Sequence, residues 1–381
     1  MRKSTVILAV LALVGASCTK IQIAESSDSS PSKGAISLSA YTAMPTKAAQ
    51  TDVINDDFTS FQVSAIGNGA KYFDNVTFTK NSEGVWASSP AYFWPVYALD
   101  FYAYNTPADG NGTFSRNITT SSPQTLKYSP SAELAKQEDL VAASVTGQHE
   151  SNNNSKGAIK LTFNHYLTQV VVNALCSNSN YTVVVDGVKL ANMAGEGTYT
   201  FSDSKMTATS GKVNSEGSTD YDETFTAKTL TSAPSEVMTN GGKGKWYLVP
   251  QTVKPWKRVV GESETPEMTN ASHGTYLALK VKITSKGGSN VYPYSGSKTA
   301  WMAVPVPAEL AFAQGKKYNV TIKFFGEDGK GGAGYVDPED PGELDGNQIT
   351  SDAGKSIVGG AIKFDATVSE WGNAVDITIS L

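Results

Sequence analysis

The chain has 381 residues, with 31 Lys and Arg against 36 Asp and Glu, for a formal charge of −5; that balance offers no basic field to hold a nucleic acid. Three His and two Cys argue against a His/Cys metal centre or a disulfide-stapled scaffold. The 34 Gly and 16 Pro stand near the globular average, which excludes a low-complexity chain.

Arg2 and Lys3 precede an apolar run over 6–14 that is too short to span a bilayer. Gly15, Ala16 and Ser17 then lead directly into Cys18. Small residues before a cysteine predict a lipoprotein signal peptide over 1–17, with Cys18 as the lipidated residue. Gly15 stands where such a motif usually carries Leu. An ordinary secretory leader cut nearby is the alternative, and both readings export the chain. Several acyl chains on one cysteine anchor firmly where a single chain is marginal. The polar run ESSDSSPSK over 25–33 makes 18–35 a flexible tether. With Cys18 acylated, Cys176 is left alone after an apolar run and reads as a small buried residue.

Strand patterns follow in order. Alternation at period two runs over 36–41 and 61–66, the second stopping at Gly67-Asn68-Gly69. A short strand pattern covers 76–79, and 98–104 puts Leu99, Phe101 and Ala103 on one face. A helix is predicted over 132–141, capped by Ser131. The polar stretch 147–156 (GQHESNNNSK) is the best domain boundary. Strands resume over 161–172 and 181–185, where Asp186-Gly187 reads as a hairpin turn into 188–190. Strands are further predicted at 246–249, 276–283, 318–325, 361–368 and 375–380, with one helical turn at 308–312 and mostly loops over 202–223. These patterns predict an all-β chain with few short helices: an N-terminal β-sandwich domain over 36–150 and a C-terminal one over 155–381.

Little in the chain looks catalytic. The run Gly329 to Gly334 fits GxGxxG, yet Tyr335-Val336-Asp337-Pro338 cannot open the helix that a dinucleotide needs. Asp337, Glu339, Asp340, Glu343, Asp345 and Asp352 crowd one loop. Their spacing fits no EF-hand, and a solvated acidic loop is favoured over a calcium site. His149, His165 and His273 lie in no recognised catalytic motif. The expectation is a non-enzyme with no cofactor and no bound metal. Trp86, Tyr92, Phe93, Trp94, Tyr97, Phe101, Tyr102 and Tyr104 cluster in sequence; they read as a sheet core, with sugar stacking as the alternative.

Several runs resemble motifs of the fimbrillin, or Mfa-like, family. They are Phe93-Trp94-Pro95 with Asp100-Phe101-Tyr102-Ala103-Tyr104, Asp139-Leu140-Val141-Ala142-Ala143, 161–168 (LTFNHYLT), Val249-Pro250-Gln251, 315–320 (GKKYNV) and Thr367-Val368-Ser369-Glu370-Trp371. The resemblance implies two transthyretin-like β-sandwich domains and a subunit of type V pili of Bacteroidales-type bacteria, carried to the outer membrane as a lipoprotein and supporting adhesion. It further implies a trypsin-like protease that removes an N-terminal strand, here 36–41. The C-terminal strand of another subunit fills the vacated groove. In this chain Val375, Ile377, Ile379 and Leu381 are the expected donor residues, and Lys47 is the expected cut site. The first arginine after Cys18 is Arg116, so either Lys47 serves or the subunit is an uncut anchor or accessory protein. The expected partners are other pilus subunits, the membrane through the lipid and a host or bacterial surface receptor. The rival reading is a surface lipoprotein that binds glycans through exposed aromatic rings.

Overall fold

Period-two alternation becomes strands along almost the whole chain. The computed structural model describes residues 34–42, 58–82, 85–153, 157–208, 218–238, 244–253, 255–256, 274–307, 310–326, 331–340, 343–344, 347–348, 353–359, 362–370 and 377–379. Cys18, Lys47, His273, Val375 and Leu381 lie outside them, and Ile377 and Ile379 are described by their backbone alone.

The first half provides β1 (Ser37–Thr42), β2 (Ser60–Gly67), β3 (Ala70–Lys80), β4 (Trp86–Ser88), β5 (Leu99–Tyr104), β6 (Gly112–Asn117), β7 (Thr125–Pro130) and β8 (Val141–Gln148), followed by β9 (Ile159–His165). A closed barrel runs in the order β1-β4-β3-β2-β5-β8-β9. Its interior holds Leu38, Phe61, Val63, Phe78, Leu99, Phe101, Leu161 and Phe163, all buried. Each large apolar side chain taken from water there contributes about 1.5–3 kcal/mol. The β2–β3 hairpin turns at Asn68 and Gly69, with φ of 51° and 72°. Two successive positive φ values match the twist of the strands, which is why Asn-Gly stands at that turn.

The second half supplies β10 (Thr168–Cys176), β11 (Tyr181–Ala194), β12 (Gly197–Thr200), β13 (Lys205–Ala208), β14 (Ser218–Thr229), β15 (Ser235–Glu236), β16 (Trp246–Leu248), β17 (Gln251–Thr252) and β18 (Tyr276–Ser285). It continues with β19 (Asn290–Tyr292), β20 (Ala300–Pro305), β21 (Ala311–Phe312), β22 (Lys316–Phe324), β23 (Tyr335–Val336), β24 (Glu343–Leu344), β25 (Asn347–Gln348), β26 (Lys363–Glu370) and β27 (Ile377–Ile379). One sheet runs β15-β10-β22-β26-β27, with β16 also paired to β10. A second runs β14-β11-β18-β20-β23, with β19 paired to β18. The apolar faces of the two meet in one core, where Val172, Val320 and Ile322 pack with Val185, Leu279 and Met302. Cys176 belongs to this core, and burial pushes its thiol pKa up.

The chain is all-β, as its patterning implies, and its only helical elements among the described residues are one-turn 3-10 helices at Leu134–Lys136 and Glu150–Asn152. The polar stretch 147–156 connects β8 to β9, and those two strands pair within the barrel. A further four-stranded sheet, β13-β12-β7-β6, joins strands from both sides of that stretch. Its tyrosines Tyr128 and Tyr199 are fully buried with Tyr104 and Tyr166, and the Tyr199 hydroxyl donates to the Tyr166 hydroxyl at 2.9 Å.

Several local expectations are corrected. The helix over 132–141 shrinks to the single turn at Leu134–Lys136, with Glu133 and Gln137 extended. Tertiary contacts outweigh helix propensity there. Leu134 packs into the sandwich core, and the Gln137 amide donates to Ser131 O and accepts from Tyr247 N. Asp186-Gly187 makes no hairpin. β11 runs through it as one strand of 14 residues with a bulge between Val185 and Gly187. The helical turn placed at 308–312 is replaced at its end by β21, which pairs with β17.

Candidate functional site

β1 closes the barrel by a short and mixed set of contacts. It runs parallel to β9 from Leu38 opposite Ile159 to Thr42 opposite Phe163. On its other side it is antiparallel to β4 at Ser37 and Leu38 only. The segment before it is held by Ile36 N donating to Tyr92 O at 2.7 Å and Gly34 N donating to Glu150 Oε1 at 2.7 Å. Ile36, Leu38 and Ala40 point into the barrel and are buried. Removing β1 would therefore leave two kinds of vacancy. The β9 backbone would lose its β1 partner from Ile159 to Phe163, and apolar pockets between Trp86, Phe163 and their neighbours would open. A second extended segment with apolar residues two apart could refill both.

At the other end of the chain, β27 is the outermost strand of its sheet and pairs with β26 from Ala366 opposite Ile379 to Val368 opposite Ile377. Ile377 and Ile379 thus stand two apart on an edge strand. The structure brings these two elements to separate sheets. Their neighbours Val375 and Leu381, together with Lys47 and Cys18, lie outside the described residues.

The aromatic run of the first half is largely internal. Trp86, Trp94, Phe101 and Tyr104 are buried, and Phe101 packs edge-on against Trp94 with ring centres 5.8 Å apart. Tyr92, Tyr97 and Tyr102 are half-buried against the same cores, and Phe93 is 51% exposed, beside half-buried Tyr72, whose hydroxyl donates to Phe93 O. Rings turned inward this way fit a core and weigh against a stacking platform for sugars.

The remaining sequence candidates resolve individually. His165 Nδ1 meets Asp139 Oδ2 at 2.5 Å at the end of the barrel. His149 caps the 3-10 turn at Glu150–Asn152 with its backbone N donating to Asn152 Oδ1. Gly331, Gly332 and Gly334 are followed by the strand β23, and their backbone groups bond to Phe325, Val358 and Ile357 or their neighbours in a loop pairing with no helix to receive a phosphate. Among the described residues no group of three His, Cys, Asp or Glu side chains is arranged to hold a metal ion.

The expectation of a solvated acidic loop is overturned at Asp337, which is fully buried and faces Lys189 Nζ at 2.8 Å. Its Oδ1 accepts from Tyr276 OH and from the backbone N of Glu339 and Asp340. Lys189 was not singled out by sequence reasoning. The available signal was the face that Lys189 shares at period two, where its neighbours Gly187 and Ala191 are not polar.

A family model described as fimbrillin-like matches residues 35–334 of the chain. None of the curated proteins matches it. Solved structures with a similar path include a candidate cell adhesion protein from Bacteroides uniformis, at 16% identity and a TM-score of 0.41, covering 89% of this chain and 98% of that one. Another from Parabacteroides distasonis is 12% identical with a TM-score of 0.45, covering 90% and 98%. The fimbrial anchor protein Mfa2 from Porphyromonas gingivalis is 11% identical with a TM-score of 0.30, covering 76% and 90%.

Proposed function

The chain belongs to the fimbrillin-like family, and from that premise we propose that it is a structural or accessory subunit of a type V fimbria that supports adhesion and assembles by strand exchange. It is exported as an outer-membrane lipoprotein acylated at Cys18. Its two sandwich domains are the barrel half and the two-sheet half. A protease cut after Lys47 detaches β1, and the C-terminal strand of a neighbouring subunit, through Val375, Ile377, Ile379 and Leu381, takes its place. A subunit that keeps Lys47 intact remains lipidated and serves as anchor or accessory. No residue is assigned a catalytic role.

The observation that carries this reading is the seat of β1: a strand held by one full parallel pairing and two antiparallel positions, with Ile36, Leu38 and Ala40 as its apolar plugs. Such a strand is separable from the barrel by a single peptide cleavage, and its seat is complementary to another strand with the same spacing. The protein with Lys47→Ala should resist processing and remain monomeric, while the wild type treated with a lysine-specific protease should form polymers that survive denaturing gels. Wild-type protein that neither polymerises nor binds a pilin after cleavage would defeat the assembly reading.

A further inference from the structure

Lys189 and Asp337 meet on the side of a sheet that faces away from the sandwich core. The bulge at Asp186 and Gly187 sets this up. Before it, Val183 and Val185 face the core; after it, Val188 and Leu190 do. Lys189 and Ala191 are thereby turned to the opposite face, where Trp256, Tyr276, Ala278, Trp301 and Ala303 form a small cluster of their own. Asp337 follows β23 and is fixed by its backbone N donating to Trp301 O at 3.1 Å. Lys189 Nζ lies 5.2 Å from the Trp301 ring centre and 5.6 Å from that of Tyr276. The lysine side chain is 9% exposed and the aspartate 0%.

Two features set this pair apart from an ordinary ion pair. Nζ stands 2.8 Å from Oδ2, on the side of the carboxyl away from the other donors. Oδ1, by contrast, receives three donors: Tyr276 OH at 3.1 Å, Glu339 N at 2.9 Å and Asp340 N at 3.0 Å. Donors gathered on one carboxyl oxygen polarise the carbon and await the negative charge that develops when a nucleophile adds to it. The other oxygen is then the leaving group, and an amine held against it in a water-poor site has a high effective concentration.

We propose that Lys189 and Asp337 condense to an intramolecular isopeptide bond. The ion pair first passes one proton from Nζ to Oδ2, leaving a neutral amine and a neutral acid. The Nζ lone pair adds to Cγ, and the charge that collects on Oδ1 is held by Tyr276 and the two backbone N–H groups. A second Nζ proton reaches Oδ2, and the Cγ–Oδ2 bond breaks to release water. One Nζ–Cγ bond forms, one Cγ–Oδ2 bond breaks, and one water leaves, with no oxidant or other reactant. Condensation also removes two charges from a site where their desolvation is costly.

The bond would tie β11 to the loop after β23 across the two intervening strands β18 and β20. A chain under tension in a fibre gains from such a staple, although the chemistry does not depend on that role. The test is tryptic mapping of the full chain purified without heating. With the bond in place trypsin cannot cut after Lys189, and peptide 161–205 is recovered joined to 331–355, lighter by one water than the two together. Lys189→Met and Asp337→Ala should each abolish the branched peptide. Recovery of wild-type 161–189 and 331–355 as separate, full-mass peptides would overturn the proposal and leave a non-covalent ion pair.

Discussion

Leu38 on β1 lies directly opposite Ile159 on β9 in the parallel pair that closes the barrel, and both side chains are completely buried. The same Leu38 also faces Trp86 across the antiparallel pair with β4. One side chain therefore seats β1 against both of its neighbours. Leu38→Ala should cost about 2–5 kcal/mol, the range for a buried leucine truncated in a packed core. Ser37, whose Oγ donates to Gly157 O at an exposed position, gives the contrast. Ser37→Ala should stay within about 0.5 kcal/mol of wild type. Urea denaturation of the two variants separates these outcomes, and equal midpoints for Leu38→Ala and wild type would mean that β1 is not part of the cooperative barrel.

Asp74 on β3 is the polar counterpart of that seat, binding the barrel to the four-stranded sheet. It accepts from Arg116 Nη1 at 2.6 Å on β6, from Lys71 Nζ at 2.8 Å and from Ser64 Oγ at 2.7 Å. Burial pushes its pKa up, but the hydrogen bonds from Arg116, Lys71 and Ser64 outweigh it and hold the carboxyl well below the usual range. A carboxyl with a depressed folded pKa contributes stability that is fully present above its unfolded pKa, about 3.9 for aspartate. That contribution is lost as pH falls through the lower folded pKa. Asp74→Asn should therefore be less stable than wild type at neutral pH, with the gap narrowing once pH drops below about 4. The group is about one-third exposed, so salt should shrink the gap too. Denaturation midpoints of both proteins across that range, at low and moderate salt, provide the check; a gap independent of pH would assign the effect to packing.

The strands were legible where one face is buried and the other wet, as in β2 with Phe61 and Val63 inside, because period two is itself the burial pattern. The Asn68-Gly69 turn was legible because its backbone demands those residues. The failures came where distant contacts decide. Gln137 and Asp139 sit in a helical pattern but are claimed by Tyr247 and His165. The aspartate at 337 looked solvated among its acidic neighbours because its lysine partner is far away in sequence. The β1–β9 pairing, on which the assembly reading turns, leaves no local mark in either segment, since parallel neighbours so far apart share no turn.

Gly187 tests the same lesson at one atom. An Asp-Gly pair between two apolar runs reads as a hairpin, yet the φ of Gly187 is not left-handed and β11 passes straight through. The glycine is required by space: a Cβ there would stand 3.0 Å from Lys280 Cβ, 3.0 Å from Trp301 Cη2 and 3.1 Å from Glu223 O. Two effects oppose each other in Gly187→Ala. Loss of backbone freedom in the unfolded chain favours the variant by about 0.4–1 kcal/mol. Overpacking against the Trp301 ring, Lys280 Cβ on β18 and the β14 backbone disfavours it by about 1–3 kcal/mol, and the backbone contact at Glu223 O cannot swing away. The net expectation is a destabilisation of about 1–2 kcal/mol, read as a lower urea midpoint at unchanged slope. Trp301 fluorescence should shift with it, since the ring must move to admit the methyl group. A stabilised Gly187→Ala would instead mean that the bulge relaxes freely, and the phase change that turns Lys189 to the outer face would lose its physical cause.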